Sequence, residues 1–333
     1  MSVAALGMAV AYLLIIVAGA IRAILVVIWF FGETAGAATS IGDKPTPARP
    51  LRACVVEERV RDDLVRRSIK EVLRMTTYVL VGGAWLGGWC WQRVARRLRD
   101  EGHDAYPVTL TGLGERAHLA SPRIDLDTHI TDVVNIVKFE DLHDLVLLGH
   151  SYAGLVVTGA ADRIPERISE LVYLDTAPLP DGAILIETFP PEARRRIESQ
   201  VEEFGDGWTF PMPSWEELAN MASLEEVDDD HLRLLRSRAV AQPFGTYTQP
   251  LRLTNPARDA LPKLGILCSF SLAQVQEMIA SGQPLFRELS GPNWRFVELP
   301  TGHWPMFSRP EDLGEILLEL PSEEPVRSDT RRS

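Results

Sequence analysis

Cysteine is scarce in this chain of 333 residues: Cys54, Cys90 and Cys268 are the only three. Their number is odd, their spacing is wide and no C-x-x-C pair occurs, which argues against a disulfide framework or a cysteine-held zinc. The seven histidines form no metal-ligand cluster, so neither a metal nor a cofactor is expected. Basic residues are in deficit as well. The 34 Lys and Arg stand against 46 Asp and Glu, for a net charge of -12. A nucleic-acid partner is not expected, because phosphate binding calls for a basic surface. The apolar share of 46% and the charged share of 24% are those of a globular protein with a substantial core. The length suits one large domain with additions, or two domains.

Charge is absent altogether from residues 2–21, and a second apolar run follows Arg22 as far as Phe31. The first run is long enough for a bilayer-spanning helix, which takes about 20 residues. Membrane association through residues 2–31 is therefore an expectation. A secretory signal is the lesser reading: Ala35-Gly36-Ala37 has the small residues of a cleavage site, but no basic segment precedes the apolar run. Lys44, Arg49 and Arg52 beyond it favour a cytoplasmic C-terminal part. Residues 39–50 read as a linker, and residues 55–73 as a charged amphipathic helix. Residues 1–74 are thus either a membrane anchor or the product of an over-extended start. In the second case translation begins at Met75 and the protein is cytoplasmic.

From Met75 the pattern changes to alternating strands and helices. Apolar runs predict strands over 78–81, 104–108, 145–148, 171–174, 264–268 and 295–299. Helices are expected over 91–101, 127–139, from the end of the third strand to about 162, and over 310–320. Repeated βα units with continuous apolar strands imply a mostly parallel sheet with helices on both faces. Functional residues in such sheets lie at the carboxyl ends of the strands. The pattern breaks at about 178–262, a stretch of prolines, charges and isolated aromatics (Phe189, Trp208, Phe210, Trp215, Phe244, Tyr247) that is too long for a βα loop. It reads as a helical cap insertion, and its aromatics favour an apolar or aromatic small-molecule ligand. The domain is expected to span 75–321, with 322–333 as a disordered tail.

The run Leu145-Val146-Leu147-Leu148-Gly149-His150-Ser151-Tyr152-Ala153-Gly154 carries the most chemistry. Four apolar residues make a buried strand, Gly149 permits a sharp turn, and small residues let a helix begin at once. A strained turn of this kind lifts the Ser151 hydroxyl clear of the sheet and aims a helix N-terminus at it. Alternatively, Ser151 simply caps the helix. An activated serine needs a base, and His303 follows the last strand, later in the chain than the serine. Attack on an ester also needs N–H donors for the developing oxyanion. The backbone N–H of Tyr152, next to the serine, is one candidate. The N–H of Ala84, in the Gly82-Gly83-Ala84-Trp85 loop after the first strand, is the other. For the acid that orients the histidine, Asp175 closes the fourth strand, whereas the loop after 264–268 holds no carboxylate before Glu277. Asp175 is preferred, against the reading in which it only caps a turn before Pro178. Gly83, Trp85, Trp208 and Trp304 are the candidate pocket residues.

Five motifs together resemble the esterase and hydroxynitrile lyase branch of the α/β-hydrolases, which includes plant methyl esterases and similar bacterial esterases. They are residues 78–85 with Gly87-Gly88-Trp89-Cys90-Trp91, Leu110-Thr111-Gly112-Leu113-Gly114-Glu115-Arg116, the serine run, Leu171-Val172-Tyr173-Leu174-Asp175, and Leu299-Pro300-Thr301-Gly302-His303. The resemblance covers 75 to about 320. It implies an α/β-hydrolase fold and cofactor-free cleavage of carboxylic esters through an acyl-enzyme on Ser151. The chain departs from that branch in four ways. Gly82 stands where histidine is usual, and Ala153 where a second elbow glycine is usual. The acid is missing after the later strand, although Asp175 matches an aspartate common in bacterial relatives. Finally, Trp304 and Gly83 replace the lysine and threonine of the lyases, which leaves no cation for departing cyanide. Two rival readings are a small-ligand-binding member without turnover and, less favoured, a hydroxynitrile lyase. Substrate identity and oligomeric state stay open.

Overall fold

The computed structural model describes residues 75–282 and 284–320. The expected anchor, linker and charged helix in 1–74 and the tail in 322–333 lie outside the described residues. Among the described residues, no helix is long and apolar enough to cross a membrane.

The elements in chain order are β1 (Thr77–Val81), α1 (Gln92–Asp100), β2 (Asp104–Val108), α2 (Leu126–Phe139), β3 (Leu145–His150), α3 (Ala153–Arg163) and β4 (Ile168–Leu174). An insertion then carries α4 (Pro191–Phe204), β5 (Thr209–Phe210), α5 (Trp215–Met221), α6 (Asp229–Arg238), β6 (Gln242–Pro243) and α7 (Gly245–Thr248). The body resumes with β7 (Lys263–Leu267), α8 (Leu272–Ala280), β8 (Trp294–Glu298), α9 (Pro305–Ser308) and α10 (Pro310–Leu318). Six strands form one sheet in the order β2-β1-β3-β4-β7-β8, with every neighbouring pair parallel. This is the α/β architecture expected from the chain.

Burial explains why these segments become strands. All six residues of β3 are buried, as are four of the five in β1 and all five in β7. Sheets covered on both faces by helices require such continuous apolar strands. In α2, Leu126, Ile130, Val133, Val134 and Val137 repeat at helical spacing and face the core. Asp125 starts that helix with a capping box, its carboxylate accepting from the Thr128 N–H at 2.9 Å. The helix α3 is buried almost all round, which its Gly and Ala content allows. At Gly159 a side chain would stand 2.3 Å from Ile130, so the glycine lets α2 and α3 approach.

Most element ends fall within two residues of expectation, and three departures are structural. The strand β4 starts at Ile168, three residues earlier than the apolar run, because the buried Glu170 within it pairs with Arg295 of β8 at 2.5 Å. A polar residue with a distant partner had hidden the strand. The helix α1 is preceded by a 3₁₀ turn over Gly88–Trp91 and begins one residue late. The insertion is mainly helical but also holds a two-stranded antiparallel ribbon, β5 against β6.

Where the chain returns from the insertion to β7, it is tied to α3. The buried Asp162 accepts from the backbone N–H groups of Thr254 and Asn255 at 3.0 and 2.9 Å and pairs with Arg258 at 3.1 Å. Removing Asp162 leaves two N–H groups without their acceptor and Arg258 with Asp259 as its remaining carboxylate partner. Asp162→Ala is expected to lower unfolding free energy by about 3 kcal/mol, read as a shift of the urea midpoint. A midpoint equal to that of the unaltered protein would show that the cluster is dispensable.

Candidate active site

Ser151 sits at the tip of the turn between β3 and α3, with φ +53 in the left-handed region. Its N–H donates to the Leu174 carbonyl at 3.2 Å, and its carbonyl accepts from Gly154 at 2.9 Å. Gly149 makes the turn feasible: a Cβ there would stand 2.6 Å from the Ala153 carbonyl oxygen. The alanine at 153 is accommodated with its methyl fully buried. The close approach instead falls on Gly154, where a Cβ would meet Thr176 at 2.8 Å.

The structure brings the expected serine, histidine and acid into one chain of contacts. His303 lies on the loop between β8 and α9, with Nε2 2.8 Å from Ser151 Oγ and Nδ1 2.6 Å from Asp175 Oδ2. A carboxylate only accepts, so Nδ1 carries the proton and Nε2 turns a lone pair to the serine O–H. Asp175 follows β4 with φ +48, its N–H donating to the Ile266 carbonyl at 2.8 Å. Its Oδ1 accepts from the backbone N–H groups of Cys268 and Ser269 at 3.0 and 2.9 Å, and its Oδ2 accepts from Ser269 Oγ at 2.5 Å. The loop after β7 thus supplies donors to a carboxylate carried by the neighbouring strand. Glu277, the other candidate acid, is exposed on α8.

The histidine loop is held from two sides. His150 Nε2–H donates to the His303 carbonyl at 2.7 Å. From the insertion, the Ser223 carbonyl accepts the His303 N–H at 2.8 Å and the Glu225 carbonyl accepts the Gly302 N–H at 3.1 Å. Gly302 has to be small, since a Cβ would stand 2.6 Å from the Glu225 carbonyl oxygen. Trp304 is buried, with its ring edge-to-face on His303 at 5.0 Å.

The loop after β1 passes close to the serine. A Cβ on Gly83 would lie 3.0 Å from Ser151 Cβ and 2.8 Å from His150 Nδ1. Among the described residues, neither the Ala84 N–H nor the Tyr152 N–H has a hydrogen-bond partner. The Tyr152 phenol is anchored below, donating to His129 Nδ1 at 2.9 Å, while His129 Nε2–H donates to the Thr111 carbonyl at 2.8 Å. At position 82, where the resemblance leads to an expectation of histidine, a Cβ would already stand 3.2 Å from Cys90 Sγ and from Leu86 Cβ, which leaves little room for an imidazole. The Trp85 indole donates to the Phe210 carbonyl at 3.0 Å, so this ring is committed to the insertion. Trp208 sits half-buried on the turn before β5. No hydrogen bond or ring contact among the described residues brings it to Ser151. Sequence reasoning missed His129, Ser269 and the Ser223 and Glu225 carbonyls, all of which act through partners distant in the chain.

Residues 78–316 match the model of the Alpha/beta hydrolase family. The chain belongs to that family. It is 35% identical over 256 residues to the carbendazim hydrolyzing esterase of Nocardioides sp. strain SG-4G, covering 74% of this chain and all of that protein. It is 27% identical over 263 residues to the putative chloroplastic methylesterase 12 of Arabidopsis thaliana, covering 75% of this chain and 73% of that protein. Among solved structures, an extracellular alpha/beta-hydrolase of a Paenibacillus species superposes with a TM-score of 0.60 at 23% identity. That match covers 73% of this chain and 98% of the other.

Three groups near the elbow of this alpha/beta hydrolase are shifted in the acid direction. Burial opposes the Asp175 charge, but the hydrogen bond and positive charge of His303, with the donors of Ser269, outweigh it and hold the carboxyl below its usual range. Burial pushes the His129 imidazole down to about 4. Burial, then the neighbouring His303 charge, pushes His150 down to about 3. Both histidines are therefore neutral in the folded protein and titrate near 6.5 when unfolded. Their contribution to stability is complete above that value and is lost as pH falls from about 6.5 towards 4. The urea midpoint is expected to drop between pH 7 and pH 5, and His129→Gln to drop less over the same interval. Parallel pH curves for the two proteins would remove His129 from the account.

Proposed function

We propose that this protein is a carboxylic ester hydrolase that works through an acyl-enzyme on Ser151. The observation that carries the reading is the Ser151–His303–Asp175 relay, at 2.8 and 2.6 Å, beside two backbone N–H groups without partners. Ser151 Oγ attacks the ester carbonyl carbon while its proton passes to His303 Nε2. The carbonyl oxygen becomes an oxyanion held by the Ala84 and Tyr152 N–H groups. On collapse, the C–O bond to the alcohol breaks and the leaving oxygen takes the proton from His303. Water then attacks the acyl carbon, His303 accepts its proton, and Ser151 leaves as the hydroxyl with the carboxylic acid released. Asp175 stays ionised throughout and stabilises the imidazolium.

The surroundings favour small esters with an aromatic or apolar group. Tyr152 stacks on Tyr247 of the insertion at 5.7 Å, and Phe189, Phe210 and Phe244 gather round Tyr247 within 6.4 Å. The names of the two curated relatives point to carbendazim and to methyl esters, consistent with a small ester substrate. The indole of Trp304 beside His303 offers no cation for a leaving cyanide, which weighs against the lyase reading.

The test is turnover of a panel of p-nitrophenyl esters together with labelling by a fluorophosphonate. Labelling is expected on Ser151 and absent in Ser151→Ala. Asp175→Asn is expected to keep the fold and lose on the order of 10⁴ in kcat, since the wrong histidine tautomer then faces the serine. Folded protein that neither turns over esters nor labels would establish the binding-protein reading instead.

A further inference from the structure

Every polar group of Trp85 is bonded to the insertion. Its backbone N–H donates to Gln242 Oε1 at 3.2 Å, its carbonyl accepts from the Val240 N–H at 3.1 Å, and its indole N–H donates to the Phe210 carbonyl at 3.0 Å. Phe210 and Gln242 are register partners across the β5–β6 ribbon, so one small antiparallel pair presents both groups. The Phe210 ring meets the indole edge-on at 5.3 Å.

Trp85 needs this support. Leu86 N–H donates to the Gly83 carbonyl at 3.3 Å, closing a four-residue turn over 83–86. Trp85 is the third residue of that turn and has φ +65. A positive φ at this place belongs to glycine or asparagine in turns of this kind, and an aromatic residue relaxes out of it when nothing holds it. The second residue of the turn is Ala84, whose N–H is the oxyanion donor proposed above. Rotation of the turn would swing that N–H away from Ser151.

Gln242 is set up for one task. It is fully buried, and its Nε2 donates to Thr246 Oγ1 at 2.9 Å. The Thr246 hydroxyl spends its only proton on the Pro243 carbonyl at 2.6 Å. Its oxygen can therefore only accept from Gln242, which turns the amide oxygen towards Trp85. We propose that Gln242 is a positioning residue that holds the turn over 83–86 so that the Ala84 N–H faces the serine. The role rests on the esterase reading and concerns the oxyanion alone, so it predicts an effect confined to the transition state.

The experiment compares Gln242→Met, Gln242→Glu and the unaltered protein on a p-nitrophenyl ester. A trifluoromethyl ketone serves as the mimic of the tetrahedral adduct. For Gln242→Met, kcat is expected to fall about 10- to 100-fold with KM changed less than about two-fold, and ketone affinity to fall in step with kcat. Gln242→Glu in its neutral form keeps a donor towards Thr246 and an acceptor facing Trp85, and is expected to recover most of kcat at a pH where the buried carboxyl is protonated. A folded Gln242→Met protein with undiminished kcat, or with its loss in KM alone, overturns the proposal. If Gln242→Met does not fold, Thr246→Val carries the test, since it frees the amide to turn, with Thr246→Ser as the rescue. Absence of ester turnover in the unaltered protein would refute the esterase reading itself. Turnover there with no effect of Gln242→Met or Thr246→Val refutes only this role.

Discussion

The site depends on one carboxylate. Asp175 leaves the end of β4 in a left-handed conformation and is met by groups from two other strand ends. Two backbone N–H groups and a hydroxyl arrive from the loop after β7, and the imidazole of His303 arrives from the loop after β8. An ionised group this deeply buried is stable only when donors surround it, and here four do. The carboxylate that these donors make tolerable in turn places the His303 proton on Nδ1 and leaves Nε2 to accept from the Ser151 hydroxyl. Electrostatic satisfaction and the relay geometry are thus one arrangement.

The insertion is a structural part of the candidate site. Its Ser223 and Glu225 carbonyls accept N–H groups of the histidine loop, the β5–β6 ribbon accepts both N–H groups of Trp85, and Val240 just before β6 donates to the Trp85 carbonyl. Both loops that flank Ser151 are therefore braced from above. From below, His150 and His129 brace the His303 carbonyl and the Tyr152 phenol. Neutral, fully buried imidazoles suit this task, because each offers one donor and one acceptor at fixed angles without carrying charge into the core.

Much of the fold was legible in the sequence because a parallel sheet demands continuous apolar strands, and those runs were plain. Ser151, His303 and Asp175 stood out because each closes such a strand or follows its end. What could not be read was whatever depended on a distant partner. Glu170 looked like a break in a strand until Arg295 lay beside it. The loop after β7 looked deficient for want of an acid, whereas it serves through two N–H groups that carry no side-chain signature and the Ser269 hydroxyl. The ribbon of β5 and β6 has two residues per strand, too few for any period to show. His129 carries no signal in the sequence because Thr111 and Tyr152 reach it only in the folded chain.

The way the β7 loop holds Asp175 has an evolutionary consequence. A side-chain acid in that loop would make one residue identity indispensable. A backbone N–H is the same for every residue except proline. Position 268 can therefore change in sequence while still meeting the carboxylate, whereas Ser269 adds a hydroxyl that only serine or threonine would supply. The side-chain identity lies instead at the end of β4, an interior strand whose neighbours on both sides constrain change. What the loop after β7 must conserve is the path of its backbone, because its N–H groups have to keep meeting the carboxylate.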